Sequence, residues 1–411
     1  MVKYLSLSSA RRRNDFVAAP EISFDLMIEI LSRLPVKSLM RFKCVSKLWS
    51  SLIRSRYFSN LYLKVASSPS RLMRPLGVYM SLNLSLTSDG HYNCDSMEFC
   101  RNTEKFELLS LRLSLSSSNS DESSLEQDLT FPGMGGYNMV SLRGLILYTV
   151  CRKACIYNPS TRQSLTLPAV KSNIFAQQER NKHVFYFFGH DHVHDQYKIV
   201  CNVVVISRDY KKIITNEFWV FVLEPRGFWK RIEYDDQPHL PTKQGLCING
   251  VIYYLASNPT CHVYCFDVRS EEFRVIQAPH LEYQHCKSLG FIEHGGKPAI
   301  FDCTRIRETG VFELWILEVD GGTWWRKSLV LKLCQMHLVY DINRKKLIVH
   351  GTDQNNEVIL ALTRPCYILY YDLIKNDLRK VNIIRATRPY ERQDVCFKVM
   401  DKCENIMQLE T

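Results

Sequence analysis

The sequence predicts an α+β multidomain fold: a small three-helix module over residues 21–65, then a large all-β domain over residues 66–411. The β domain is expected to be β-propeller-like, with a β-sandwich as the alternative. Three observations carry this reading. Apolar residues near the N-terminus recur at steps of three and four, the spacing of one helix face. After Tyr62 the texture turns to short apolar runs separated by Gly, Pro, Asn and Asp, as in a succession of short strands. Within that second region a strand–turn–strand unit returns with its turns at Asn158, Glu224, Asp267, Asp320 and Asp372, a spacing that brackets the length of a propeller blade.

The helical module comes first. Leu26, Met27, Ile30, Leu31 and Leu34 form one apolar stripe, with Asp25 placed to support the N-terminus of the helix and Pro35 to stop it. Leu39, Phe42, Cys44 and Val45, then Leu48, Trp49, Leu52 and Ile53, predict two further short helices separated near Ser46. Three such short helices cannot bury this stripe among themselves, so it is expected to face a partner. Residues 1–20, which include Arg11 to Arg13, are expected to be a disordered tail.

In the β region the clear copies of the unit are Cys155 to Pro168, Val263 to Pro279, Leu314 to Leu331 and Ile368 to Ile383, with a looser one from Phe218 to Tyr234. Each has an apolar strand, a turn with Asp or Asn, and a second strand carrying an aromatic or large apolar residue. One such hairpin buries a single face, so neighbours must stack, and radial closure protects the edges that an open sheet leaves bare. Between Ser110 and Ser124 serine dominates, which predicts a mobile surface loop inside the domain.

Composition narrows the function classes. Apolar residues make up 46% of the chain and charged residues 23%. Those shares are ordinary for a globular chain and too apolar for disorder throughout. The longest apolar runs, such as Val203 to Ile206 and Val251 to Leu255, are far too short for a membrane helix. No membrane span or secretory signal is expected. The formal charge of +11 is dispersed over the chain, which points to solvated faces and not to a nucleic-acid partner. Fifteen cysteines lie mostly inside apolar runs without compact spacing, so reduced thiols in the cytoplasm and/or nucleus are expected.

The segment ISFDLMIEILSRLPVKSLMRFKCVSKLWSSLI, Ile22 to Ile53, resembles the F-box of the large plant families. The resemblance implies a non-catalytic substrate receptor of a ubiquitin ligase. Its F-box would bind a Skp-family adaptor and, through it, cullin and RING subunits. Carried over, the adaptor-binding positions fall on Ile22, Leu26, Ile30, Leu34, Pro35, Leu39, Val45 and Trp49. Ile22-Ser23 stands where relatives have Leu-Pro, removing the proline that starts the helix. Downstream, IYNPSTRQSLTLP, DQYKIV, LCINGVIYYLA, CFDVRSEEFRVI and FELWILE resemble the plant F-box-associated domain of the third type over roughly residues 140 to 325. This domain would choose an unknown protein substrate. The alternatives are a non-degradative F-box assembly or sequestration protein, or a propeller-type glycan- or peptide-binding module.

Other chemistry has weaker footing. His190, His192 and His194 alternate, so on a strand they would share one face as a metal site could use, yet solvated histidines beside a turn are the expected state. Cys151/Cys155 and Cys261/Cys265 lack the second pair of a zinc ribbon. No Gly-rich phosphate loop, nucleophile elbow or zinc helix is present in the sequence, so no catalytic residue, cofactor or metal is expected.

Overall fold

The computed structural model describes residues 22–409 except for 67–76, 84–105, 116–122, 177–180, 208–211, 280–288, 319–321, 341–346, 363–366, 385–396 and the single positions 137, 151, 235, 243, 259 and 354. The N-terminal tail therefore lies outside the described residues.

Residues 22–66 form four helices, one more than the sequence predicts: α1 (Phe24–Arg33), α2 (Val36–Phe42), α3 (Lys47–Arg54) and α4 (Arg56–Ala66). Serine hydroxyls start three of them. Ser23 Oγ accepts the Leu26 N–H at 3.4 Å, Ser46 Oγ that of Trp49 at 3.2 Å, and Ser55 Oγ that of Phe58 at 3.2 Å. An N-cap hydroxyl satisfies an orphan donor, so Ser23 takes over the helix-starting role of the missing proline, and Ser55 starts a fourth helix beyond the last one the sequence predicts. The module closes on Met27, Leu31, Val36, Leu39, Leu52, Ile53, Phe58 and Tyr62, joined by Ile406 from the other end of the chain.

Six antiparallel blades follow among the described residues. The first strands, β1 (Gly77–Asn83), β2 (Phe106–Leu115) and β3 (Ser123–Pro132), find their innermost partner only at the far end of the chain. Blade one is β4 (Val140–Leu142), β5 (Leu145–Val150), β6 (Lys153–Asn158) and β7 (Gln163–Thr166). Blade two is β8 (Lys182–Asp191), β9 (Gln196–Ile206), β10 (Ile213–Val222) and β11 (Trp229–Ile232). Blade three has β12 (Leu240–Pro241), β13 (Leu246–Ile248), β14 (Val251–Asn258), β15 (Thr260–Asp267) and β16 (Phe273–Gln277). Blade four is β17 (Gly290–His294), β18 (Lys297–Asp302), β19 (Val311–Glu318) and β20 (Thr323–Val330). Blade five is β21 (Leu347–Thr352), β22 (Glu357–Leu362), β23 (Tyr367–Asp372) and β24 (Asp377–Ile384). β25 (Phe397–Asp401) pairs antiparallel with β1 from Leu82↔Phe397 to Val78↔Asp401, completing a sixth blade in the order β25-β1-β2-β3. The inner strands β4, β8, β13, β17, β21 and β25 neighbour one another in a closed ring, a propeller and not a sandwich. β24 and β3 also pair in parallel, fusing the outer edges of blades five and six.

The repeated sequence unit is the outer hairpin of a blade. Its Asp or Asn is needed because the side chain accepts the turn's own N–H groups. Asn158 Oδ1 takes that of Ser160 at 3.0 Å, Asp267 those of Arg269 and Ser270 at 2.8 and 2.9 Å, and Asp372 those of Ile374 and Lys375 at 2.9 Å. Its aromatic locks blade to blade. Trp229 Nε1 donates to the Pro168 carbonyl at 2.7 Å, and Trp324 Nε1 to that of Gln277 at 2.8 Å. The predicted serine-rich loop needs correction: residues 110–115 lie in β2 and 123–124 in β3, and only 116–122 remain, outside the described residues. Leu109, Leu111 and Leu113 alternate with Ser110, Arg112 and Ser114, a strand period that serine composition alone conceals.

Past β25 the chain crosses blade one. Asn405, fully buried, donates from Nδ2 to the Arg143 carbonyl at 2.6 Å and accepts the Met407 N–H on Oδ1 at 2.7 Å. Asn158 Nδ2 holds the Met407 carbonyl at 2.8 Å. The crossing requires glycine at position 144. There φ is +79°, and a Cβ would stand 2.7 Å from the Cys403 carbonyl oxygen. Only glycine adopts that backbone without steric cost. Between blades two and three, buried His239 pairs with the hydroxyls of Tyr234 at 3.0 Å and Tyr254 at 2.8 Å and stacks on Tyr264.

Two stability tests follow from this packing. Asn405→Ala strands the Arg143 carbonyl and the Met407 N–H and is expected to cost about 2–4 kcal/mol, read as a lowered urea midpoint. Burial pushes His239 down to about 3. Below pH ~6.5 the unfolded chain therefore binds a proton that the fold refuses, and stability falls as pH drops toward 3. Between pH 7 and 4.5 the native chain should lose about 2 kcal/mol more than His239→Phe. Parallel stability–pH curves for the two would contradict this.

Candidate functional site

α1 divides its apolar residues between two faces. Met27 and Leu31 enter the module's interior, whereas Leu26 and Ile30, one turn apart, are 49% and 41% exposed. Ile22, Val45 and Pro35 are likewise on the surface, and Leu34 and Trp49 are half-buried against the core. Leu39 is completely buried, so it supports the surface from beneath and does not meet a partner directly. The idea that the module cannot bury its stripe is half right, because α4 and Ile406 cover the Met27–Leu31 side. Phe24 and Leu48 are also exposed.

The module is bound firmly to the propeller. Tyr62 Oη donates to the Glu404 carboxylate at 2.9 Å and to the Leu34 carbonyl at 3.1 Å. The Asn60 amide donates to the Asp195 carboxylate and accepts from Arg143 Nη2 at 3.3 Å. Of the three histidines, His190 belongs to this anchor. β8 ends at Asp191, so His192 and His194 fall in the turn to β9 and the three imidazoles share no strand face. His192 and His194 are exposed, as expected, whereas His190 is buried, 2.9 Å from the Asp195 carboxylate. Burial, with Arg143 nearby, lowers its pKa and favours the neutral ring. His194 Nδ1 lies 2.6 Å from Asp191 Oδ2. Against the opposing effect of burial, that contact and the N–H groups of Val193 and His194 hold the Asp191 carboxyl at about 2. Among the described residues no three metal-ligating side chains converge.

Arg143 and Asp195 occupy the turns that leave inner strands β4 and β8, so the helical module sits on that end of the ring. The turns there are short: 143–144, 192–195, 249–250, 295–296 and 353–356. Connections that feed the inner strands, such as 167–181, 233–245 and 331–346, are longer and join strand ends on the opposite face. Long connections on a rigid scaffold are the usual carriers of recognition. Along the axis the inner strands enclose a cavity of about 580 Å³, lined by Ser141, Phe188, Cys247, Glu293, His350 and Lys398 among others.

The buried and exposed residues of the helical module should respond differently to the same substitution. Leu39→Asp places a charge in a packed interior and is expected to destabilise the chain by more than about 3 kcal/mol. Leu26→Asp should stay within about 1 kcal/mol of native, by thermal unfolding.

Comparison with known proteins agrees with these boundaries. Residues 20–61 match the F-box domain, and residues 96–406 match the F-box associated beta propeller domain, extending the resemblance well beyond 140–325. An F-box protein of Arabidopsis thaliana is 58% identical over 365 residues, covering 88% of this chain and 90% of its own. An F-box/LRR-repeat protein of the same plant is 43% identical, covering 95% of this chain and 88% of its own. An F-box/kelch-repeat protein, also from Arabidopsis thaliana, is 38% identical over 97% of this chain and 94% of its own. With a helical F-box docked on a six-bladed ring and both halves matched, the chain belongs to the plant F-box proteins that carry a C-terminal F-box-associated β-propeller domain.

Proposed function

We propose that this chain is the substrate-recognition subunit of a Skp-cullin-F-box ubiquitin ligase, acting in the cytoplasm and/or nucleus. The observation that carries the reading is the exposed pair Leu26 and Ile30 on a module whose interior is already filled. Exposed leucine and isoleucine side chains gain about 1.5–3 kcal/mol each on full burial, which is what an adaptor groove supplies. In this reading the F-box holds the adaptor, the adaptor holds cullin and RING subunits, and the propeller holds a protein substrate. The chain contributes no bond chemistry. It raises the effective concentration of a substrate lysine at the charged conjugating enzyme.

Because Ile406 completes the F-box core, the test uses the full chain with a purified Skp-family adaptor. Leu26→Asp combined with Ile30→Asp should weaken binding at least about tenfold, while Pro35→Ala should do less because its ring borders the helix start. Unchanged affinity of the double variant would overturn the adaptor reading. Affinity purification with the proteasome blocked should then enrich substrates that accumulate when the propeller is deleted.

A further inference from the structure

The face that blade two turns toward blade three carries polar side chains inside an apolar core. Cross-strand register places Phe185, Asn202 and Phe218 in one row of that face. His183, Val204 and Asn216 form the next row, at the end of the blade where β8 and β10 begin. Phe185, Val204 and Phe218 belong to one cluster with Ile252, Tyr254 and Phe266 of blade three, so the two rows are closed in by the neighbouring blade.

Asn202 is completely buried there. Neither its amide nitrogen nor its amide oxygen has a hydrogen-bond partner among the described residues, and the buried amide nitrogen of Asn216 has none either. Other polar groups in this seam are matched. Lys198, at the far end of the same face, donates to Glu271 of blade three at 2.8 Å. His239, whose ring lies 5.6 Å from that of Phe218, has its two ring nitrogens engaged by the hydroxyls of Tyr234 and Tyr254. Three amide groups withdrawn from solvent without replacement bonds are strongly unfavourable against the small net stability of a fold.

The geometry narrows what can satisfy them. Asn202 and Asn216 are diagonal neighbours on adjacent antiparallel strands, an arrangement that sets Cα atoms about 7–8 Å apart. Their two nitrogens both donate, so they cannot bond each other, whereas a water oxygen between them accepts from both. We infer that blades two and three enclose an internal water site, in which one water accepts from Nδ2 of Asn202 and of Asn216 and a second donates to Oδ1 of Asn202. Backbone carbonyls, with two lone pairs each, can take the remaining hydrogens, giving each water the roughly three bonds usual for internal solvent. The seam is then held by solvent as well as by apolar packing. The inference is independent of the ligase reading.

A crystal structure of the full chain, at a resolution that shows ordered water, tests the site directly. Density at about 2.7–3.2 Å from both nitrogens is expected, and its absence overturns the inference. A mutant cycle in urea is a second test, since leucine keeps the shape of asparagine without its hydrogen bonds. Asn202→Leu leaves Asn216 and the waters short of a partner, so the folded-to-unfolded ratio at a fixed urea concentration should fall at least about fivefold. Adding Asn216→Leu to that variant should destabilise it less than Asn216→Leu destabilises the native chain, because the shared water is already lost. A more stable Asn202→Leu marks an orphaned amide, and strictly additive effects mean that no water joins the two residues. Either result overturns the inference. Should a variant fail to fold, the crystal structure of the native chain decides.

Discussion

Everything in this molecule depends on the pairing of β25 with β1. An antiparallel blade needs an innermost strand, and for blade six the chain provides that strand only after all the other blades have been laid down. Until the two meet, blade six presents an open edge and the ring has a gap. Once they meet, the inner edges disappear together, and a second seam between β24 and β3 binds blades five and six at the rim. Closure of so long a loop is entropically unfavourable, but the cost grows only with the logarithm of loop length, so the hydrogen bonds and buried residues of β25 can offset it. Val399 and Met400 on that strand are buried.

The same closure fixes the F-box. Residues 402–409 continue from β25 across blade one and deliver Glu404 to Tyr62 and Ile406 into the helical core. The F-box is therefore not suspended on a free linker from residue 66. It is bound at both ends of the sequence and also through Asn60, Asp195 and Arg143. Under the proposed receptor role this matters physically: a rigid angle between adaptor and propeller would define where a bound substrate lies, and a loose joint would dilute the effective concentration the assembly provides. His190, near the end of β8, contributes to that rigidity by bracing Asp195.

The two surfaces separate by simple topology. Inner strands all run the same way around the ring, so the short turns that leave them collect on one face and the longer connections that feed them on the other. The F-box occupies the face of short turns, where a helical module can approach backbone and inner-strand ends closely. The strand ends joined by the longer connections lie on the face away from it. The axial cavity is bordered by residues from both ends of the inner strands, from Met139 to Asp401.

Periodicity in the sequence determined the helical module, the β character of the rest and the outer hairpin of five blades, because each rests on contacts between near neighbours: i to i+4 on a helix, Asx side chain to turn amide in a hairpin. α4 and the sixth hairpin escaped that reading because Ser55 and the Ser110–Ser124 stretch look like breakers and loop when judged by composition. The tertiary structure alone decided what depends on residues far apart. It separated buried Leu39 from exposed Leu26, though both are leucines of the same motif, since only packing determines which face is covered. It gave His190 an anchoring role and left His192 and His194 in an exposed turn in place of a shared face, and it drew Ile406 across the whole chain into the F-box. Local sequence specifies local hydrogen bonds and periods; which apolar face is left for a partner is set by the long-range packing that closes the ring.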